Sequence, residues 1–391
     1  MNICLLTGTF HPQIGGGETY AKTIAAGMCA MGHTVFVITD RPNSSCPDYE
    51  QIGGMHIFRT FSYKALIEDP DKSCWEQAYF ALPGEIANLL RHHHIDIIHA
   101  NSLECAIIGS MLALTIQVPL VCSFHEQEPE AEAAGEGKCR LVFSQLPVQI
   151  FLAGSRFYYD KAIAYGADSA RLKLIYHGVD LDNIYPGTRA QARQAFQVQP
   201  DDIFIVCAAR LKQRKGLLEL IRAIPGVKKN MPHIRVLIAG SCHSASRQYA
   251  TNLYKEIELL DLTGVVSINE QLHLSDMSEV YTAADIVVQP SYSEGLGLAL
   301  LEAMASNKPV IGTTISSIEE IITSEQNGLL IPPGDVSALG DAIIRLATDH
   351  QCAQKLAKKG YEHVKTHFNI RRMIKETEQS YKTAMQVFTS V

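Results

Sequence analysis

The sequence predicts an α/β protein built as two doubly wound parallel-sheet domains, and three observations carry that expectation. Its 391 residues exceed what one hydrophobic core usually serves, so two domains are expected. Short apolar runs alternate with helical patterns from end to end, which calls for parallel strands covered by helices on both faces. The alternation is broken by the turn-forming segment His177-Gly178-Val179-Asp180-Leu181-Asp182-Asn183-Ile184-Tyr185-Pro186-Gly187, and then restarts. The domains are accordingly 1–181 and 182–369, with a last helical segment at 370–391.

In the first half, Asn2–Gly8 is a strand, and Glu18–Gly32 is a helix stopped by Gly32. Thr34–Thr39 and Gln51–Arg59 are the next strands, followed by Ile95–His99, Leu120–Phe124, Ile150–Ala153 and Leu172–Tyr176. Helices lie between them at about 74–92, 103–116 and 156–165. The second half has strands at Ile203–Ala208, Ile234–Ala239, Val265–Ile268, Ile286–Val288 and Pro309–Gly312. Its helices are at about 216–229, 245–261, 276–283 and 297–306, and beyond Asp335 at 336–348, 351–366 and 370–387.

Hydrophobic residues at 47% and charged residues at 19% are the balance of an ordinary globular chain. The ten cysteines form no C-x-x-C pair, and Cys4, Cys122 and Cys207 sit inside apolar strand patterns. Reduced thiols in a cytosol are expected, not a disulfide frame or a zinc site. The chain enters a strand at once, without a cleavable leader, and no apolar run is long enough to span a membrane. A cytoplasmic protein with at most peripheral membrane contact is the expectation. The net charge of −7 arises entirely in residues 1–180, which hold 12 Lys and Arg against 19 Asp and Glu. Nucleic acid is excluded as a partner, since phosphate binding needs a basic face.

The most informative stretch is Glu294-Gly295-Leu296-Gly297-Leu298-Ala299-Leu300-Leu301-Glu302, directly after the buried strand text Val287-Val288-Gln289-Pro290-Ser291. Two glutamates at this spacing arise often by chance, but here they bracket a strand, a glycine turn and a helix start. That order puts both carboxylates at the C-terminal edge of a parallel sheet, where ligands bind. The N–H groups of Gly297 and Leu298 are free there to hold an anion. A ligand presenting both hydroxyls and phosphate suits such a place, as a nucleotide sugar does.

With Ala283-Ala284-Asp285 before it and Asn307-Lys308-Pro309-Val310-Ile311 after it, this text resembles the retaining GT-B glycosyltransferases of family 4, whose signature is E-G-[FL]-G-x-x-x-x-E. The resemblance covers nearly the whole chain and is strongest over 203–335. It implies two Rossmann-like domains facing a central cleft, with the last helix returning to the first domain. It implies a metal-independent, retaining hexosyltransferase that uses a nucleoside-diphosphate sugar as co-substrate and no cofactor. The sugar would be a UDP-linked hexose or N-acetylhexosamine. Glu302 would hold the ribose hydroxyls, Glu294 the donor sugar, and the N–H groups near Leu298 the phosphate.

Arg210-Leu211-Lys212-Gln213-Arg214-Lys215-Gly216 follows the strand ending at Ala208, and a guanidinium and an ammonium there suit a diphosphate. The resemblance gives Arg210 and Lys215 the departing diphosphate, whereas Lys212 and Arg214 read as solvated. Gly15-Gly16-Gly17-Glu18, between the first strand and the first helix, permits close backbone approach. In the family a double glycine here lies under the diphosphate or near the acceptor, which gives Gly15 and Gly16 a binding role. His125 closes a buried strand, and the family's histidine at this point lies by the transferred sugar. Glu126 stands where the family often has Asp. His99 closes a neighbouring strand and is expected to line the acceptor cleft, while His92-His93-His94 reads as the solvated end of a helix.

Asp180-Leu181-Asp182 matches the D-x-D of metal-dependent enzymes of another fold, but it lies in linker text, and no metal is assigned. Ser316-Ser317-Ile318-Glu319-Glu320 departs from the family's Gly-Gly-x-x-Glu, keeping only the acid at Glu320. The acidic run Glu126, Glu128, Glu130, Glu132 and Glu136 is either a solvated loop or a lure for a small cationic or polyhydroxyl acceptor, such as an aminocyclitol of secondary metabolism. The alternatives are a transferase of cell-surface polysaccharide or glycolipid assembly, a nucleotide-sugar epimerase or phosphorylase, or a silent sugar-binding protein.

Overall fold

The computed structural model describes residues 1–13, 15–43, 45–59, 81–126, 135–182, 187–242, 244–272 and 276–389. The chain divides into two compact units, Met1–His177 with Arg371–Val391, and Gly178–Ile370. The division falls between His177 and Gly178, ahead of the boundary expected after 181.

The first unit holds β1 (Asn2–Thr7), β2 (Thr34–Thr39), β3 (Tyr49–Ile52), β4 (Met55–Arg59), β5 (Ile97–Ala100), β6 (Leu120–Phe124), β7 (Ile150–Ala153) and β8 (Leu172–Leu174). They form one sheet in the order β3-β4-β2-β1-β5-β6-β7-β8, parallel throughout except between β3 and β4. The single strand expected over Gln51–Arg59 is this antiparallel pair, because Gly53 and Gly54 both take positive φ and reverse the chain. β1, β5 and β6 are almost wholly buried, which is why they read as unbroken apolar runs. Of the helix expected at 74–92, Leu82–Leu90 lies in the described residues and is helical.

The C-terminal helix Ile370–Thr389 packs within this unit, burying Met373, Tyr381 and Ala384 among Ile3, Tyr20, Ile24 and Met28. Gly27 permits the close approach, since a Cβ there would stand 2.2 Å from Ile374 Cδ1.

The second unit holds β9 (Ile203–Ala208), β10 (Ile234–Ala239), β11 (Val266–Asn269), β12 (Ile286–Gln289), β13 (Val310–Thr313) and β14 (Leu329–Ile331), all parallel, in the order β11-β10-β9-β12-β13-β14. β14 was not expected, and neither was the helix Arg189–Ala195, whose capping box joins Thr188 and Gln191.

Both sheets reverse their winding once, between β1 and β5 in the first and between β9 and β12 in the second. Loops leaving the C-terminal ends of strands at such a switch diverge and leave a crevice for a ligand. The loops after β9 and β12 carry Arg210–Gly216 and Ser291–Gly297, and those after β1, β5 and β6 carry Gly15–Gly17, Asn101 and His125.

Candidate active site

In the second unit, the loops after β9 and β12 are locked together. Gly216 caps the helix Leu217–Asn230 at φ +67°, and a Cβ there would stand 1.9 Å from the carbonyl oxygen of Pro290. Tyr292 N–H donates to Arg214 O at 2.8 Å, and Thr313 Oγ1 donates to Ser291 O at 2.6 Å. Glu294, only 6% exposed, sits inside this frame. Its Oε1 receives Lys215 Nζ at 2.5 Å, Gln289 Nε2 at 2.5 Å and Ser291 Oγ at 2.7 Å. Among the described residues Oε2 has only the Arg214 guanidinium, 3.8 Å away, so its hydrogen-bonding capacity is left for another donor.

Burial pushes the Glu294 carboxyl up, but the Lys215 charge and hydrogen bond, with Ser291 and Arg214, more than offset it and hold it below the ordinary value. Burial lowers Lys215, and the Glu294 carboxylate only partly counters that. Lys215 is therefore bonded to Glu294 in this structure, with two of its three N–H donors left over.

Arg214 corrects the sequence reading. It is not a solvated loop residue: its side chain is 18% exposed, and Nη1 donates to Ser293 O at 2.8 Å, bracing the Glu294 loop. Arg210 is exposed at the end of β9 and makes no ion pair among the described residues. The side chain most available to an incoming anion is thus Arg210.

Gly297, at φ +100°, starts the helix Leu298–Ala305, and Leu298 and Ala299 open it without an intrahelical acceptor for their N–H groups. Glu302, half-buried on this helix, accepts from Tyr281 Oη at 2.8 Å. Burial raises the Glu302 carboxyl, and the Tyr281 bond opposes the rise. Tyr281, Gln289 and Ser291 were missed from sequence as site residues. Gln289 and Ser291 flank the proline that ends β12, which was the available signal.

In the first unit, Gly15 caps the helix Gly16–Ala30 with extended backbone, and a Cβ there would meet Glu18 Oε2 at 2.2 Å. Gly16 faces open space, with nothing within 4 Å of where its Cβ would be. His125 packs on Tyr20 of this helix. Its Nε2 is 3.1 Å from Asn101 Oδ1, and its ring packs on Tyr20 at 4.4 Å and on His177 at 4.9 Å between centroids. Burial, then His177 and His99, holds His125 well below the ordinary histidine value. His177, unassigned from sequence, is seated by Gly154, whose Cβ would stand 2.2 Å from His177 Nε2.

His99 does not line an open cleft. It is fully buried, 2.6 Å from Tyr381 Oη and 2.7 Å from Ser123 Oγ, and burial lowers it to about 3. It ties the C-terminal helix to β5 and β6. Glu126 does not face solvent as a charge lure either. Oε1 accepts from Leu103 N–H at 2.6 Å and Oε2 from His125 N–H at 3.0 Å, so it caps the helix Leu103–Ile116. Glu136 pairs with Arg140, while Glu128, Glu130 and Glu132 lie outside the described residues.

Against known proteins, the description "Glycosyl transferases group 1" matches residues 188–363, and "Glycosyltransferase Family 4" matches 14–183. The chain belongs to the family 4 glycosyltransferases. It is 25% identical to an uncharacterized glycosyltransferase of Methanocaldococcus jannaschii, covering 99% of each chain. It is 28% identical to a D-inositol 3-phosphate glycosyltransferase of Paenarthrobacter aurescens, over 95% of this chain and 93% of the other. Among solved structures it is similar to the sucrose-phosphate synthase of Thermosynechococcus elongatus, with TM-score 0.83 at 22% identity and full coverage of both chains. It is also similar to Anabaena HepE in complex with UDP-glucose, with TM-score 0.80 at 21% identity over 97% and 100%. These likenesses give the GT-B fold.

In this glycosyltransferase, Asp180 Oδ1 accepts from Asp182 N–H at 3.0 Å, closing a local turn. Among the described residues no group of three or more His, Cys, Asp or Glu is arranged to hold a metal ion. Ser316 and Ser317 open the one-turn helix Ser316–Glu319, with Ser317 buried and Glu320 just beyond it, half-buried. No helix of the described residues is long and apolar enough to cross a membrane. Among the described residues no two cysteines are joined in a disulfide.

Proposed function

We propose that this glycosyltransferase moves a hexose or N-acetylhexosamine from a UDP-type donor, with retention and without a metal, to a hydroxyl of a small soluble polyol. The observation that carries this reading is the anchored Glu294, with Oε1 held by Lys215, Gln289 and Ser291 and Oε2 without a hydrogen bond among the described residues. A carboxylate so held suits the hydroxyls of a donor sugar. Arg210 and the helix N-terminus at Leu298 supply positive charge for a diphosphate, and Glu302 suits a ribose. Arg210 and Lys215 would act on charge that grows on the leaving diphosphate, which is how such groups lower a barrier. The HepE structures, with UDP and glucose or UDP-glucose bound, support the choice of nucleotide.

Relatives named D-inositol 3-phosphate glycosyltransferase support a cyclitol as the acceptor class. An amine-bearing cyclitol has less support than the acidic run suggested, because Glu126 and Glu136 are already engaged. Product formation in a cytoplasm, within secondary metabolism, fits a small soluble acceptor of this kind. The test is incubation with UDP-glucose or UDP-N-acetylglucosamine and a panel of neutral, phosphorylated and amino cyclitols, read by mass and by proton NMR of the early product. A product keeping the donor's anomeric configuration is expected. An inverted product overturns retention, transfer only to lipid-linked acceptors moves the enzyme to glycolipid assembly, and turnover of donor alone favours an epimerase.

A further inference from the structure

Asn101 follows β5 directly, and the orientation of its side-chain amide is fixed by what surrounds it. Nδ2 lies 3.1 Å from Gly17 O and 3.4 Å from Thr7 Oγ1. A backbone carbonyl can only accept, so the NH2 group must face Gly17, and Oδ1 is turned to His125. Oδ1 is 3.1 Å from His125 Nε2, and an amide oxygen cannot donate. Nε2 must therefore carry the proton. In neutral imidazole that leaves Nδ1 as a bare lone pair, and burial keeps the ring neutral. Nδ1 is buried and meets no hydrogen-bond partner among the described residues. Buried acceptors are almost always paired, so this one points to a donor that arrives with a ligand.

We propose that Asn101 is a positioning residue that fixes His125 in the Nε2–H form, so that Nδ1 accepts from one hydroxyl of the polyhydroxyl substrate. The inference rests on the function proposed above and adds a direction to the hydrogen bond. A substrate with hydrogen or fluorine in place of that hydroxyl cannot donate, and fluorine would also face the lone pair. Tyr20 and His177 flank the ring and hold its plane.

The full-length protein with 15N-labelled histidine decides the tautomer by long-range 1H–15N spectra. A protonated Nε2 and a bare Nδ1 are expected for His125, with Nδ1 shifting when substrate binds. Monodeoxy and monodeoxyfluoro versions of the donor sugar form one kinetic arm and those of the accepted polyol form the other, which separates the two sources of the hydroxyl. One position in one arm should lose about tenfold in kcat/KM, the worth of a neutral hydrogen bond. Asn101→Ala should shrink that penalty, while Asn101→Asp, which still accepts from Nε2, should preserve it. An Nδ1–H form, or a penalty that Asn101→Ala leaves unchanged, overturns the inference. Should the alanine variant not fold, the wild-type spectra and the aspartate variant still decide it. Donor and acceptor that calorimetry shows bound, with Nδ1 unmoved, overturn this inference alone. Failure of every nucleotide sugar to bind overturns the proposed function, and this inference with it.

Discussion

Lys215 Nζ lies 2.5 Å from Glu294 Oε1, inside a frame formed by the loops after two adjacent strands at the switch point of the second sheet. The side chains are 11% and 6% exposed, so neither charge has water to fall back on. Removing one member of such a pair costs about 3–5 kcal/mol, because the other is left buried and uncompensated. Glu294→Gln should therefore lower the thermal midpoint and also abolish most transfer. Lys215→Met combined with Glu294→Gln should recover much of the stability and none of the activity. Scanning calorimetry beside a transfer assay checks both, and an unchanged midpoint in the single variant would show that the pair is not closed in solution.

Arg210 behaves oppositely, because it is exposed and makes no ion pair among the described residues. Arg210→Ala should leave stability within about 0.5 kcal/mol of wild type. It should reduce kcat on the order of a hundredfold, as expected when one preorganised group facing developing charge is lost. Chelator should leave the remaining and the wild-type activity intact. Loss in EDTA that manganese restores would return Asp180 and Asp182 to consideration as metal ligands.

Glu302 gives a pH dependence whose direction follows from its surroundings. Burial raises its carboxyl, so it takes up a proton at higher pH than an ordinary glutamate as the solution is acidified. The charged form is the better acceptor for ribose hydroxyls, so nucleotide affinity should weaken on acidification, beginning at a higher pH than an ordinary glutamate would require. Tyr281→Phe removes the bond that opposes the rise and should move this weakening to higher pH. Glu302→Ala should lose affinity at neutral pH by about 1.5–3 kcal/mol per lost charge-assisted bond, and lose the pH dependence with it. Calorimetric titration of the nucleotide across a pH series is the measurement, and parallel curves for the three proteins would refute the ribose assignment.

What sequence could and could not reveal divides along physical lines. The central strands were legible because they are buried on both faces and read as apolar runs, as in Cys4–Leu6 and Ile97–Ile98. Gly53-Gly54 was passed over inside a plausible strand, although its positive φ makes a hairpin there. Arg210, Lys215, Glu294 and Glu302 stood out by type and spacing. Their partners Gln289, Ser291 and Tyr281 did not, because a neutral side chain gains meaning only when folding brings a carboxylate within reach. The role of Arg214 was misjudged for the same reason: its Ser293 partner is seventy-odd positions away in the chain. His99 looked like a cleft residue because it ends a strand. Only the packing of the C-terminal helix, with Tyr381 at 2.6 Å, makes it interior.

The last prediction concerns Glu126, which caps the helix Leu103–Ile116 from a place that disfavours its charge. Burial, with the nearby Glu104 carboxylate, pushes it from 4.5 up to about 7, and the N–H groups of Leu103 and His125 pull it back only in part. A carboxyl raised on folding contributes stability that is fully present below 4.5 and is lost as pH rises through about 7. Within that window the slope approaches about 1.4 kcal/mol per pH unit for one group. Glu126→Gln cannot ionise, so it should lack this slope. Its amide also fits the two backbone donors less well, which predicts a variant less stable than wild type at pH 5. The deficit should shrink or reverse by pH 8. Denaturant unfolding at a series of pH values measures it directly. A difference between the two proteins that stays constant with pH would mean that Glu126 is ionised in the folded state throughout, and that its carboxylate is better solvated than its contacts indicate.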